Sequence, residues 1–406
     1  MKYINKRLTI ENVNFQKIAN KFGTPFYCYS YFKLRENINK FRKNFKSFSP
    51  LICFAVKSNT NINLIREIKK FGLGADVVSM GELMLALKAK ISPSKIVFSG
   101  VGKTSHELSF AIKKKILLIN AESLSEIKEI NRIAKLKRKK VRIGIRLNPN
   151  TDAKTLKQIS TGKKENKFGV NKNTLFKIVE YCKKSNNINL RCLSVHIGSQ
   201  ILDYKPYKKM LNAISNILKK VDHEFEFVDL GGGMGIAYSD KNKNLDYKKY
   251  NKAILNFLNK HQVKIIFEPG RSIIGNTGIL ISKIIYIKDS GKKKFVILDA
   301  AMNDLMRPAL YGAIHKTLPV IKSSKVSKKI YEFVGPICES TDKFISLKRF
   351  QELNEKDLIA ICDVGAYGMS LSSNYNLRPK PVELLIKGSK IKVIKKRQKY
   401  LSLIHI

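Results

Sequence analysis

The sequence predicts an α/β protein: a (β/α)8 barrel of the TIM type, followed by a mostly antiparallel β domain at the C-terminus. Between about residues 51 and 271, short apolar runs alternate with amphipathic helical stretches, the pattern of parallel strands covered on both faces. Beyond residue 271 the texture changes to strand-like alternation broken by tight polar turns. The length, 406 residues, exceeds what one hydrophobic core organises, so more than one domain is expected.

In chain order, residues 1–30 form an N-terminal segment whose strand-like run 26–30 is expected to pair with the β domain. Residues 31–273 form the barrel and 274–406 the C-terminal β domain. The apolar runs lie at 52–56, 75–79, 96–99, 117–120, 141–147, 193–197, 225–230 and 265–268, eight in all, the number that closes such a barrel. An open doubly wound sheet is the competing architecture. Helical stretches at 64–71, 81–90, 107–115 and 175–184 are apolar on one face and Lys-rich on the other. One connection is long, running from Asn148 through TDAKTLKQISTGKKENKFG, a length that suits a lid or binding loop. In the C-terminal part, runs at 279–288 and 295–299 flank the turn DSGKKK, and the run 382–387 leads into KGSK. No internal repeat or low-complexity linker is visible.

Lys and Arg number 78 against 31 Asp and Glu, a net charge of +47 that raises nucleic acid as a partner. The excess is mostly Lys, spread over nearly every predicted helix, with no aromatic-studded basic groove. It implies a diffusely cationic surface that attracts anions, including a phosphorylated cofactor and carboxylate substrates, rather than a nucleic-acid site. The apolar runs fall short of a membrane span, so no membrane partner is expected. Lys2, Lys6, Arg7 and Glu11 interrupt the start of the chain, which leaves no secretory signal there and points to the cytoplasm. Cys28, Cys53, Cys182, Cys192, Cys338 and Cys362 show no CxxC pairing, which argues against disulfides and against a metal site. Most read as ordinary buried thiols, with Cys338 the exception.

In a barrel, chemistry belongs at the carboxyl ends of strands. Lys57 follows the first run, ICFAV, where its amine would face the mouth; a desolvated lysine is a good Schiff-base nucleophile, although a strand-end surface charge reads the same way. Asp76 lies in the second run and His196 closes the sixth, either as a core histidine or stacked on a planar ring, with Ser199 near enough to reach a phosphate. Gly231, Gly232 and Gly233, in LGGGMG after the seventh run, suit a phosphate cradle or a tight turn. In EPGR, at the end of the eighth, Glu268 is an acid carried inward that needs a cation: a pyridinium nitrogen, or Arg271 beside it.

AVKSN around Lys57, GADVVSMGEL at 74–83, HIGSQ at 196–200, LGGGMG at 230–235, EPGR at 268–271, GPICESTD at 335–342 and GAYG at 365–368 together resemble the fold-type III pyridoxal-phosphate-dependent decarboxylases over nearly the whole chain. The resemblance implies pyridoxal 5'-phosphate carried covalently on Lys57, His196 stacked on its ring and Glu268 at the ring nitrogen. It places Gly231, Gly232, Gly233, Gly270, Arg271 and Tyr367 around the phosphate, with Tyr367 also near substrate. It further implies a head-to-tail homodimer in which a second copy contributes Cys338 and Glu339. Ser58 departs from the Ala often found there in close relatives.

Glu339, with MRPALY at 306–311 and STGKKENKFG at 160–169, is similar to the branch of the family that decarboxylates meso-2,6-diaminopimelate to L-lysine. That substrate ends in a second amino-acid group, so it needs cations for a carboxylate and an anion for an ammonium. Arg271, Arg307 and Tyr311 are the candidates for the first and Glu339 for the second; a structural salt bridge between Arg307 and Glu339 is the competing reading. Cys338 is the expected proton donor, since thiols titrate near working pH. Activity on ornithine or arginine, or racemisation on the same fold, are the alternatives.

Overall fold

The computed structural model describes residues 1–153, 159, 161–162, 165–239 and 244–405. The chain forms two compact units, one of Met1–Asn37, Ala237–Asn242 and Ile274–Ile406, the other of Ile38–Ile236 and Lys243–Ile273. The first unit runs past residue 30 because the helix Tyr31–Phe45 starts directly on the strand Phe26–Ser30, and the amide of Asn37 donates to Asn276 Oδ1 at 2.7 Å.

The second unit is a closed parallel barrel of eight strands among the described residues: Leu51–Ala55, Gly74–Val77, Ile96–Phe98, Leu118–Ala121, Val141–Arg146, Ile188–Ser194, Phe227–Asp229 and Lys264–Phe267. Closure comes from the last strand pairing with the first, Ile266 with Leu51. The open doubly wound sheet is thereby excluded. The sixth strand departs from the expected run at 193–197. Its polar residues Asn189 and Arg191 hide five residues of strand from an apolar count, and it ends at Ser194, so His196 lies in the loop beyond rather than closing the strand.

Helices cover the strands, and several begin on a side chain that accepts an otherwise unpaired backbone N–H. Ser79 accepts from the Glu82 amide, Thr104 from Glu107 and Ser123 from Glu126. In each case the glutamate reaches back to a backbone N–H at the helix entrance: Val78, Thr104 and Glu122. These caps fix where each loop at the barrel mouth turns into its helix.

Strand alternation decides what fills the bore. Cys53, Val97, Leu118, Cys192, Phe227 and Ile266 pack together as an apolar floor. Two positions further on, where the same face of each strand or its continuation recurs, the residues are Ala55, Ser99, Asn120, Ser194, Asp229 and Glu268, all buried. The floor is dry and the layer above it is polar. Gly144 on the fifth strand makes room for that layer, since a Cβ there would lie 2.1 Å from Asn120 Oδ1 and 3.1 Å from Cys192 Cβ.

The first unit is a β assembly. A small antiparallel sheet, Lys2–Ile4, Arg7–Ile10 and Val13–Asn14, leads into the helix Phe15–Phe22, capped by Asn14. The larger sheet runs Lys343–Leu347, Ile330–Val334, Lys293–Leu298, Gly278–Ser290, Phe26–Ser30, Val382–Lys387, Lys390–Lys395, with Leu358–Ile361 also on Gly278–Ser290 and Thr317–Pro319 beyond it. Most pairings are antiparallel; Phe26–Ser30 on Val382–Lys387 and Lys293–Leu298 on Ile330–Val334 are parallel. Both expected hairpins turn on a glycine in the left-handed region, Gly291 and Gly388. The core under this sheet draws Leu8, Phe15 and Ile18 from the chain start together with Phe26, Ile281, Ala360 and Leu384.

Replacing Gly144 by Ala should lower stability by about 1–3 kcal/mol, the cost of overpacking a site that cannot move aside. Denaturant unfolding measures it, and an unchanged midpoint would show that the Asn120 layer yields.

Candidate active site

The barrel mouth brings together the amine of Lys57, the imidazole of His196, the guanidinium of Arg271 and the carboxyl groups of Asp76, Asp229 and Glu268. Lys57 sits in the short turn Val56–Ser58 directly after the first strand, half-buried, with Nζ donating to Asp76 Oδ2 at 2.8 Å. Asp76 is fully buried in the second strand, and its Oδ1 accepts no hydrogen bond among the described residues. A strand-end lysine facing bulk water would not be fixed against a buried carboxylate, so the surface-charge reading of Lys57 falls.

Glu268 lies one residue beyond the eighth strand, 6% exposed. No ion pair joins it to Arg271 among the described residues, which removes the internal salt bridge considered above. Its carboxyl instead accepts from Ser99 Oγ at 3.3 Å and hydrogen-bonds Asp229. Burial, then the charges of Asp229 and Asp76, push Glu268 well above the usual carboxylate range, while Lys57 pulls weakly the other way. Asp229, at the end of the seventh strand, is pushed by burial up to about 6 and restrained by hydrogen bonds from Glu268, Gly231 and Asn120.

His196 is half-buried, and its Nδ1 accepts from the Gly232 amide at 3.2 Å, which leaves the proton on Nε2. Burial first, then the positive charges of Arg146 and Lys57, hold its pKa well below the ordinary histidine value, so the ring is uncharged. The glycine run divides in function. The Gly231 amide donates to Asp229 Oδ1 at 2.9 Å and the Gly232 amide to His196 Nδ1 at 3.2 Å, so both amides are engaged within the turn. The amides of Gly233 and Gly270 donate to nothing among the described residues. The Arg271 guanidinium donates to Ser199 Oγ at 3.2 Å. Ser58 donates to the Ala55 carbonyl at 2.7 Å and packs against Gly270, whose bare backbone admits it.

Several residues here were missed by sequence reading. Asp229 ends the seventh strand just before the glycines, and Asn120 is the penultimate residue of the fourth; both were hidden as single polar letters in apolar runs. Arg146 is buried at the end of the fifth strand. It pairs with Glu122 at 2.9 Å, lies over the Phe168 ring at 4.7 Å and reaches the His196 carbonyl at 3.4 Å. Glu122 also accepts from the Gly169 amide at 2.9 Å, which ties down the end of the long connection. Of that connection, residues 154–158, 160 and 163–164 lie outside the described residues, so the STGKKENKFG stretch is only partly in view.

The remaining candidates belong to the other unit. Arg307 opens the short helix Arg307–Tyr311, buried, with Tyr311 half-buried at its end. Arg307 Nη1 donates to His315 Nε2 at 2.8 Å, the acceptor role being set because His315 Nδ1 donates to the Cys362 carbonyl at 2.8 Å. Glu339 accepts from Tyr375 OH and from Thr341 Oγ1 and makes no ion pair with Arg307 among the described residues, contrary to the salt bridge considered above. Asp342 frames this loop by accepting from the amides of Met302 and Ile337, at 2.7 and 2.8 Å. Cys338 is exposed, while the other five cysteines are buried and all six are free thiols. Tyr367 is half-buried with φ of 58°, in the left-handed region.

Residues 32–275 match the family described as pyridoxal-dependent decarboxylase, pyridoxal binding domain, and the chain belongs to that family. It is 41% identical over 404 residues to the diaminopimelate decarboxylase of Aquifex aeolicus, covering 98% of this chain and 95% of that protein. The crystal structure of the Helicobacter pylori diaminopimelate decarboxylase complexed with L-lysine superposes with a TM-score of 0.91 at 42% identity, over 97% of this chain and 98% of that one. The crystal structure of diaminopimelate decarboxylase from m. jannaschii, in co-complex with L-lysine, gives a TM-score of 0.93 at 34% identity, over 99% of this chain and 96% of that one. Within the family the chain stands with the diaminopimelate decarboxylases.

The residues present fit pyridoxal phosphate. Three carboxyl groups concentrate negative charge in a dry bore, where a cationic ring nitrogen would offset it. A half-buried amine stands at the same mouth, and two free glycine amides with Ser199 and Arg271 supply donors for a phosphate.

The raised carboxyls make a prediction for the cofactor-free protein. Between the ordinary carboxylate range, near pH 4, and the raised folded values, the folded state holds protons the unfolded chain has released, so stability falls as pH rises through that window. Glu268→Gln should flatten part of the fall. Urea unfolding from pH 4 to 8 tests this, and parallel curves for both proteins would contradict it.

Proposed function

We propose that this chain releases carbon dioxide from meso-2,6-diaminopimelate to give L-lysine, the last step of lysine biosynthesis, as a cytoplasmic homodimer with shared active sites. The observation that carries the reading is Lys57 fixed 2.8 Å from Asp76 in the same mouth as the buried acid Glu268. When bound, pyridoxal phosphate supplies a protonated ring that draws electrons from the bond to the departing carboxylate.

The chain's own residues do the rest. Lys57 would hold the cofactor's aldehyde carbon covalently, with Asp76 fixing where Nζ lies. Glu268 keeps a proton at the ring nitrogen, and His196, uncharged, offers its ring face for stacking. Gly233, Gly270, Ser199 and Arg271 take the phosphate, while Gly231 and Gly232 shape the turn that presents it. Tyr367 approaches phosphate and substrate together. At the substrate's far end Arg271 and Arg307 would neutralise the carboxylate, Tyr311 would donate a hydrogen bond to it and Glu339 would pair with the ammonium, an arrangement of fixed sign that ornithine and arginine, lacking the second carboxylate, do not satisfy. Cys338, from a second copy of the chain, returns a proton to the carbon that lost its carboxylate. No helix among the described residues is long and apolar enough to cross a membrane.

Carbon dioxide release should be seen with meso-diaminopimelate and be far weaker with ornithine, arginine or lysine; equal rates on ornithine would overturn the substrate assignment. Lys57→Ala should lower turnover by at least about 10³-fold, and borohydride reduction of the wild type should leave the cofactor adduct on the peptide bearing Lys57. Cys338→Ala should cost about 10²-fold or more in turnover; unchanged rate and products would rule out the thiol as proton donor.

A further inference from the structure

The polar layer of the bore is unequal in a way the mechanism has not used. Asp229 is fully buried and accepts from Asn120 Nδ2 at 3.0 Å, from the Gly231 amide at 2.9 Å and from Ser194 Oγ at 3.5 Å. Among the described residues Glu268 accepts from Ser99 Oγ, at 3.3 Å, and otherwise shares a hydrogen bond with Asp229. Ser99 is itself engaged by Asn120, whose amide donates to its Oγ at 3.3 Å, so one asparagine braces both sides of the pair. Two carboxyl groups hydrogen-bonded to each other in a dry site hold one proton between them. The proton stays on the member with fewer donors, and the charge stays on the member with more.

We propose that Asp229 is a positioning residue for the decarboxylation: held as the carboxylate by Asn120, Gly231 and Ser194, it makes Glu268 the proton-bearing partner, so that the acid meeting the cofactor's ring nitrogen brings the proton that nitrogen requires. With the cofactor in place the same single proton lies between Glu268 and the ring nitrogen. The charge on Asp229 then favours the protonated ring by ordinary attraction through a low-dielectric bore. The direction of the Glu268 pKa, upward from burial and from Asp229, agrees with this assignment. The other titratable groups around the pair are Asp76, whose charge acts in the same sense, Lys57, which opposes it, and the buried thiols of Cys53 and Cys192, both pushed upward and therefore uncharged. The inference rests on the ring nitrogen lying at Glu268, as in the function proposed above.

The test uses the full chain loaded with pyridoxal phosphate carrying 15N in the ring, read by the nitrogen chemical shift against pH. The wild type should keep the ring nitrogen protonated at neutral pH, and Asp229→Asn should move its deprotonation down by about one pH unit or more, the scale for loss of a nearby opposite charge. An unmoved titration in a folded Asp229→Asn protein overturns the proposal. If that variant does not fold, the wild type decides. In the cofactor-free chain labelled with 13C at either Asp or Glu carboxyls, the protonated-carboxyl infrared band at neutral pH that Glu268→Gln removes should shift with the Glu label. A shift with the Asp label, or no such band, refutes the assignment. Failure to recover a cofactor adduct on Lys57 in the wild type would instead bring down the reading of the cofactor site itself.

Discussion

Charge cannot be left isolated in a dry barrel bore, and the arrangement of this unit follows from that constraint. The floor made by Cys53, Val97, Phe227 and Ile266 is apolar, so the polar groups of the layer above find their partners in one another. Asn120 bridges Ser99 and Asp229, Asp229 takes the Gly231 amide, and Glu268 leans on Asp229. Gly144 is bare because Asn120 needs the space. The negative charge that remains is what a cationic ring relieves, so the same packing that closes the bore also defines the chemistry of its guest.

Above that layer, the loops convert strand ends into a site with little freedom. The Gly232 amide sets the His196 tautomer, and the Arg146 guanidinium links Glu122, Phe168 and the His196 carbonyl. Breaking a buried pair such as Arg146 with Glu122 typically costs about 3–5 kcal/mol, so the pair anchors the loops it joins. The serine and threonine caps at residues 79, 104 and 123 act at the same end, fixing loop exits on the side of the barrel where chemistry belongs.

Much of this was legible in the letters, for identifiable reasons. Apolar runs of four to seven residues mark buried parallel strands, and Lys57, Asp76, Glu268 and Arg271 fall at their ends, so position along the strand carried the functional reading. The sixth strand was cut short because Asn189 and Arg191 face outward on a strand only partly covered, which an apolar count discards. Asp229 and Asn120 were invisible for the converse reason: a single polar residue in an apolar run reads as noise until the bore shows that two such residues from different strands meet. The glycine run was read as one device, but its amides have different partners, and only hydrogen-bond directions separate the turn from the anion donor. The salt bridge between Glu339 and Arg307 was the competing reading, and among the described residues each has other neighbours.

The strand Phe26–Ser30 lies between Gly278–Ser290 and Val382–Lys387, one made in mid-chain and the other close to the C-terminus. During synthesis, the barrel segments are complete long before the second of these neighbours leaves the ribosome. An early-made strand with buried aromatic side chains must therefore wait, one edge unpaired, until residues 382–387 have been translated. A ribosome that stalls late on this transcript leaves that edge open to strands of other nascent chains, which ties the fate of the β unit to the pace of elongation as much as to its final contacts.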